Sequence, residues 1–206
     1  MEDLNAPAEP QQDELWLISY ADMLTLLLGF FIVMVAAVPM RHATFERIAA
    51  SISGTKSAPL QQLRERVDDL VAKNPELRDR VVARDDLESL GIEFKDALLF
   101  DSGSAEIRPE GKHAIAEVAQ LLETLPARPV LIEGHTDEVP IRTARFRSNW
   151  ELSSQRAINV LAALEASGIP RARLSARAFA DTRPRETHGT IEERRLANRR
   201  VVIRVE

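Results

Sequence analysis

The longest apolar stretch of the chain lies near its N-terminus. Residues 15–40 carry one acidic side chain, Asp22, and no basic one. As an α-helix this stretch would be about 39 Å long, enough to cross the hydrocarbon core of a bilayer with some tilt. Residues 1–14 contain acidic residues but no lysine or arginine, and the apolar stretch is longer than that of a signal peptide. The pattern therefore predicts a retained transmembrane helix over 15–40, preceded by a short tail over 1–14.

A shorter helical pattern follows the apolar stretch. Phe45, Ile48 and Ile52 recur at spacings of three and four residues, with polar residues between them. This periodicity predicts an amphipathic segment over residues 41–56. Taken alone, it is typical of a spacer helix that lies on a membrane surface.

A second amphipathic pattern occupies residues 57–90, which we predict to be a helical linker. The apolar positions of its repeat are Leu60, Leu63, Val67 and Leu70. Their spacing is that of a short coiled-coil seam, although too few heptads are present to establish pairing. Pro75 ends this helix, and residues 75–88 are predicted to form a second short helix or an entry segment.

From residue 91 onward the pattern alternates between strands and helices, which predicts an α/β domain over 91–206. The predicted strands cover residues 91–100, 129–134, 172–179 and 200–205, and the predicted helices cover 109–125 and 151–167. Each helix presents one apolar stripe, so both are expected to cover the same core.

Composition excludes several classes of function. The 206 residues carry 27 basic and 32 acidic side chains, for a net charge of -5, and the two signs are interspersed. Nucleic-acid binding requires a concentrated basic face, so we exclude it. The absence of cysteine removes disulfides, thiolate metal sites, a cysteine nucleophile and a lipidated cysteine anchor. The four histidines show no metal-ligand spacing, and no nucleophile motif or phosphate-binding loop occurs. We predict no metal site, no cofactor and no enzyme activity.

Three polar clusters fall at the ends of the predicted C-terminal elements and could converge on one pocket. They are residues 134–137, residues 148–156 and residues 198–200. The middle cluster has a simpler interpretation, because Ser148 or Asn149 is a suitable helix N-cap and Glu151 suits the first turn.

Asp22 is the unusual residue of the membrane segment. A charged carboxylate inside a bilayer costs about 2.5 to 3.5 kcal/mol on insertion scales, so an acid there is either functional or a tolerated residue near a helix end. The residues Trp16, 19–22, Thr25 and 29–31 resemble the single transmembrane helix of the MotB/PomB stator subunits of ion-driven flagellar motors. The resemblance implies that Asp22 carries the transported proton or sodium ion.

The C-terminal clusters resemble the OmpA-like peptidoglycan-binding domain, and the resemblance covers residues 91–206. It implies a mixed sheet with helices packed on one face. In that family an acid and an arginine hold the amine and the carboxylate of a diaminopimelate residue in the wall peptide, and Asp137 and Arg156 match them. The neighbouring pocket positions match Asn149, Leu152 and Arg199. A zwitterionic amino-acid end requires such an anion and such a planar cation.

Together the two resemblances imply a homodimeric stator subunit that forms an ion channel with a multi-span MotA/PomA-type partner and binds peptidoglycan. Phe45, Ile48 and Ile52 would then form a plug against ion leakage. A passive tether between inner membrane and peptidoglycan, or a channel in a non-flagellar ion-driven machine, stays open. Arg41, Arg47 and Lys56 follow the helix and favour an external N-terminus, whereas a wall-binding domain requires a periplasmic C-terminus and a cytoplasmic N-terminus.

Overall fold

The computed structural model describes residues 15–37, 59–86, 89–125, 128–185 and 188–206. These residues belong to two separate units, one within residues 1–45 and one within residues 46–206. The predicted plug residues Phe45, Ile48 and Ile52 lie outside the described residues.

The first unit contains helix α1, Leu15–Ala37. Its 23 residues give a length of about 35 Å. The segment Trp16–Met34 is long and apolar enough to cross a membrane, and none of it is buried within the chain. The helix was predicted to continue to residue 40, and residues 38–40 lie outside the described part.

The second unit is an α/β domain. Its elements are α2 (Pro59–Lys73), β1 (Val81–Asp85), β2 (Leu90–Lys95), α3 (Asp96–Leu99), α4 (Pro109–Glu123), β3 (Val130–His135), α5 (Asn149–Ala166), β4 (Leu174–Ala180), α6 (Ile191–Asn198) and β5 (Arg200–Val205). The strands form one sheet in the order β1-β2-β5-β3-β4. Only β3 and β4 run parallel, so the sheet is mixed, as the resemblance implied.

One hydrophobic core joins the sheet to α2, α4 and α5. Alternate residues of the strands enter it, such as Ile92 of β2, Ile132 of β3 and Ile203 of β5, each 0% exposed. Because side chains alternate between the faces of a strand, the three long helices share one face of the sheet. The opposite face carries charged side chains, among them Glu133 and Arg204.

The structure corrects the linker predicted over residues 57–90. Helix α2 packs against the domain through Leu63 and Val67, which are 1% and 0% exposed. Within residues 75–88, only the 3-10 turn Pro75–Leu77 is helical among the described positions, and β1 follows it as an edge strand paired with β2. The apolar seam of α2 thus covers its own domain, because an amphipathic stripe packs wherever apolar surface is available.

The strand predicted over residues 91–100 is also corrected. It ends at Lys95, and the short helix α3 turns the chain so that Leu98 and Leu99 enter the core. Helix α4 lies close over this turn, since a Cβ at Gly111 would be 3.0 Å from the Cα of Leu99. Helix α6 was not predicted. Its start is fixed by a capping box in which Thr190 and Glu193 bond each other's backbone amides.

Candidate functional site

The three polar clusters meet in one cavity of about 450 Å³ at the end of β3. All five residues predicted for the pocket line it, namely Asp137, Asn149, Leu152, Arg156 and Arg199. Strand β3 delivers the acid, the first turns of α5 deliver the next three side chains, and the loop between α6 and β5 delivers the last arginine. The start of β5 lies opposite the end of β3, with Arg200 paired to His135, so the sheet itself brings the clusters together.

Arg156 is the most enclosed of these residues, with 2% of its surface exposed. Its Nε donates a hydrogen bond to the carbonyl oxygen of Ser104 at 2.8 Å. Its Nη1 lies 2.7 Å from Oδ1 of Asp96, and its guanidinium carbon is 4.8 Å from the centre of the Phe100 ring. The residue also lines the cavity, so its guanidinium group borders the space that a ligand would occupy.

Asp96 and Arg156 form a buried ion pair. Burial raises the pKa of the Asp96 carboxyl, against the lowering effect of Arg156, and burial also lowers the pKa of Arg156. A guanidinium starts from such a high pKa that it stays charged at neutral pH. Although Nη1 of Arg156 lies only 2.7 Å from Oδ1 of Asp96, Oδ1 has no hydrogen-bond partner among the described residues, so the two groups are poorly aligned for a hydrogen bond. The attraction is therefore mainly electrostatic.

Asp137 forms the second ion pair of the cavity. Its Oδ2 accepts a hydrogen bond from Nη1 of Arg199 at 2.7 Å, and its Oδ1 accepts one from the backbone amide of Val139 at 3.2 Å. The carboxylate is thus held from two sides at the start of the loop that follows β3. Arg199 lies next to Arg200, the first residue of β5, so both partners are anchored at the ends of neighbouring strands.

Asn149 fixes the loop that forms the cavity wall. Its amide nitrogen donates to the carbonyl oxygens of Asp137 and Val139, at 3.2 and 3.0 Å, and its side-chain oxygen accepts from the backbone amide of Ile141 at 3.2 Å. Ser148 caps α5 by accepting a hydrogen bond from the amide of Glu151, as its position predicted. The functional and capping interpretations of this cluster are therefore compatible, since different side chains carry them.

The strand and helix that carry the site approach each other closely. A Cβ at Gly134 would be 2.1 Å from the carbonyl oxygen of Ser153 in α5. Glycine is required there because any side chain would push α5 away from β3. This contact sets the separation between Asp137, three residues after Gly134, and Arg156, three residues after Ser153.

The paired charges suit a ligand that carries both signs. Two acids and two arginines share the cavity as the pairs Asp96–Arg156 and Asp137–Arg199. An arginine can hold a carboxylate and an acid can hold an ammonium group, both through charge-assisted hydrogen bonds. Such a cavity can hold the amine and the carboxylate of one amino-acid end.

Asp96 was missed in the sequence, as was the ion pair between Glu138 and Arg195, whose Oε1 and Nε are 2.8 Å apart. Asp96 lay inside an assumed strand, where an acid indicates only a solvent-facing position. Arg195 belongs to the unpredicted α6. An acid directly before an apolar run, Asp96 before residues 97–100, was the available signal.

His135 is a buried structural side chain on the charged face of the sheet. Its ring stacks on Phe179 with centroids 5.2 Å apart, and its Nε2 lies 3.7 Å from Glu133. Burial lowers the pKa of His135, against the raising effect of Glu133. Within the described ranges, no group of three or more histidine, cysteine or acidic side chains could hold a metal ion.

Asp22 lies in the first unit, within the apolar segment of α1. The side-chain hydroxyl of Thr25 donates a hydrogen bond to the backbone carbonyl oxygen of Asp22 at 2.8 Å. That bond stays within the helix and leaves the Asp22 carboxylate out of the contact. The large apolar side chains around it, such as Leu26 at 68% exposure, are uncovered by the chain itself.

Comparison with known proteins gives a match for each of the two units. Residues 99–199 match the OmpA family, and residues 3–55 match a family described as membrane MotB of the proton-channel complex MotA/MotB. Motility protein B of Bacillus subtilis is 31% identical over 236 residues, which cover 93% of this chain and 90% of that protein.

Two solved structures share the fold of the second unit. A putative MotB-like protein from Desulfovibrio vulgaris has 28% identity and a TM-score of 0.65, covering 71% of this chain and 90% of that one. The cell wall anchor of the T6SS from Pseudomonas aeruginosa has 34% identity and a TM-score of 0.61, covering 69% of this chain and 97% of that one. The similarity to Motility protein B extends over nearly the whole of both chains, and this chain therefore belongs to the MotB family, with an OmpA-like domain at its C-terminal end.

Proposed function

We propose that this chain is the wall-anchored subunit of an ion-driven flagellar stator. In this proposal Asp22 carries the ion, and Asp137 and Arg156 hold a diaminopimelate residue of the peptidoglycan stem peptide. The observation that carries the proposal is the convergence of Asp137 and Arg156 in one cavity, on a chain whose apolar helix contains a lone acid.

Family membership and one apolar N-terminal helix make the chain a single-pass inner-membrane protein with a periplasmic domain. We place the N-terminus in the cytoplasm, because the proposed ligand lies outside the inner membrane. Asp22 is then in the cytoplasmic half of the bilayer, positioned to pass an ion inward. Each elementary charge that crosses the membrane supplies about 2.3 kcal/mol per 100 mV.

A second membrane protein is required by this mechanism. One helix cannot enclose a conducting path, so we propose a multi-span partner of the MotA/PomA type and a homodimer of this chain. The large apolar side chains described in the apolar segment of α1, all at least 43% exposed in the isolated chain, leave surface for lipid and for such helices. The matched N-terminal family is described for a proton-channel complex, which makes the proton our first choice of ion.

Peptidoglycan binding is tested by sedimenting the full-length chain, purified in detergent, with isolated peptidoglycan. We expect Asp137→Asn and Arg156→Ala to weaken binding at least about tenfold, because truncating one member of a buried charge pair costs about 2 to 5 kcal/mol. Arg145→Ala is the control, since that arginine is exposed and pairs with Glu106 away from the cavity. Failure of the unaltered chain to sediment would refute the wall-anchor assignment. Thermal unfolding of each variant separates lost binding from lost folding.

The similarity to a cell wall anchor of a T6SS favours a second candidate, a passive tether between inner membrane and peptidoglycan. The tether would use the same cavity but not Asp22. Ion dependence distinguishes the two: with the partner present, a proton-driven stator responds to the proton gradient and is insensitive to sodium at fixed pH. If activity required sodium, the transported ion would be sodium instead of the proton. Activity that is independent of both gradients would favour the tether.

A further inference from the structure

The cavity contains charged side chains to which the proposed wall-binding function gives no role. Its basic lining residues are Lys95, Arg156, Arg195 and Arg199, and its acidic ones are Asp96, Asp137 and Glu192. Arg195 is paired with Glu138 at 2.8 Å. The proposed function uses Asp137 for the ligand's amine and assigns nothing to Asp96.

Asp96 lies against the same arginine that is proposed to take the ligand's carboxylate. Its Oδ1 is 2.7 Å from Nη1 of Arg156, and the residue is 8% exposed. A ligand carboxylate placed on Arg156 therefore enters the field of a second carboxylate at close range. Asp96 also interacts electrostatically with Asp137 and Arg199, so the four groups form one network.

We propose that Asp96 is a specificity-determining residue, an inference that rests on the proposed wall-binding function. Its carboxylate offsets the charge of Arg156, so that the cavity accepts an amino-acid end carrying both charges and rejects a carboxylate that lacks a neighbouring ammonium group.

The charge balance gives the physical reason. With Asp96 present, a lone carboxylate gains attraction at Arg156 but meets repulsion from Asp96, whose Oδ1 lies 2.7 Å from that arginine. A ligand with an ammonium group recovers that loss by its attraction to both acids. Without the charge of Asp96, no carboxylate at that position would offset the charge of Arg156, and any ligand carboxylate would be attracted more strongly. Specificity is the difference between these affinities, and it is enlarged where the surroundings exclude water.

A purely positioning role for Asp96 gives a different expectation. If its only effect were to orient Arg156, its loss would weaken every ligand that uses this arginine by the same factor. A charge-balancing role changes the ratio of two affinities instead. That ratio is the quantity to measure.

The test titrates the full-length chain in detergent with two soluble probes by calorimetry. One probe is a stem tripeptide ending in meso-diaminopimelate with a free side-chain amine, and the other is the same peptide with that amine acetylated. We expect the unaltered chain to prefer the free amine. Asp96→Asn should reduce the preference about tenfold, equivalent to about 1.4 kcal/mol, mainly by tighter binding of the acetylated probe.

Two further variants complete the design. Asp96→Glu keeps the charge and should keep the preference. Asp101→Asn makes the same chemical change at a side chain that is 78% exposed and does not line the cavity, so it should leave both affinities unchanged. If Asp96→Asn does not fold, Asp96→Ser removes the same charge with a smaller side chain.

An equal loss of affinity for both probes in the uncharged variants would overturn the inference and leave wall binding intact. Failure of the unaltered chain to bind the free-amine probe would refute the proposed function itself. The two failures are therefore distinguishable in one experiment.

Discussion

Replacing Gly134 by alanine tests how the fold builds the site. The new Cβ would lie 2.1 Å from the carbonyl oxygen and 2.9 Å from the carbonyl carbon of Ser153. Both atoms belong to the backbone of α5, so no side-chain rotation relieves the overlap, and the helix must move away from β3. Overpacking a core costs about 1 to 3 kcal/mol, and a backbone clash belongs at the upper end of that range.

For a domain of this size, a loss of about 3 kcal/mol lowers the unfolding midpoint by roughly 6 to 12 °C. Because α5 carries Arg156 while β3 leads to Asp137, we expect peptidoglycan binding to weaken as well. Gly91→Ala is the matched control: its Cβ meets only Val202 Cγ1 at 3.3 Å and Arg84 O at 3.8 Å. Thermal unfolding followed by circular dichroism measures both variants. Equal midpoints for Gly134→Ala and the unaltered chain would refute the proposed β3–α5 contact.

Two further predictions concern the rest of the domain. A fragment of residues 59–206 should unfold cooperatively in a circular dichroism melt, whereas a fragment of residues 91–206 should not. The shorter fragment lacks Leu63 and Val67, and burial of each side chain stabilises the fold by about 1.5 to 3 kcal/mol. Equal melts of the two fragments would contradict this prediction. Glu133 should contribute stability above pH 4.5 that is lost as the pH falls toward 2. Burial raises its pKa, but the nearby His135 and the hydrogen bonds from Arg204 outweigh burial and hold the pKa at about 2. Denaturant titrations at several pH values measure how much of the free energy of unfolding is lost in acid. Glu133→Gln should remove at most about 3 kcal/mol of this loss, and the exposed control Glu106→Gln should retain it. An unchanged loss in Glu133→Gln would contradict the assignment.

The sequence identified the parts of the fold that have a regular pattern. The apolar stripes of α4 and α5 indicated a shared core, and the structure buries them together. Edge strand β1 escaped detection because its five residues, Val81–Asp85, alternate too briefly to separate a strand from a helix turn. Helix α6 escaped because it is short and mostly charged, and its capping box carries the only strong signal.

The residues of the site likewise include some that the sequence predicts and some that it does not. Asp137, Asn149 and Arg156 belong to recognisable motifs, and the cavity brings them together. Arg199 was also predicted for the pocket, but its ion pair with Asp137 depends on the pairing of β5 with β3, and Asp96, which was not predicted, reaches Arg156 only through the turn at α3. Contacts between residues 60 or 62 positions apart in the chain depend on tertiary packing, which periodicity does not encode.

In the proposed function, ion transport through Asp22 drives a wall-anchored stator. Its most direct test is the swimming of cells in which the only copy of this chain carries Asp22→Asn, with the protein present at the unaltered level in the membrane. We predict that swimming is abolished, because an amide cannot bind and release a proton, while peptidoglycan binding is retained. Full swimming by the Asp22→Asn cells would show that Asp22 does not carry the ion.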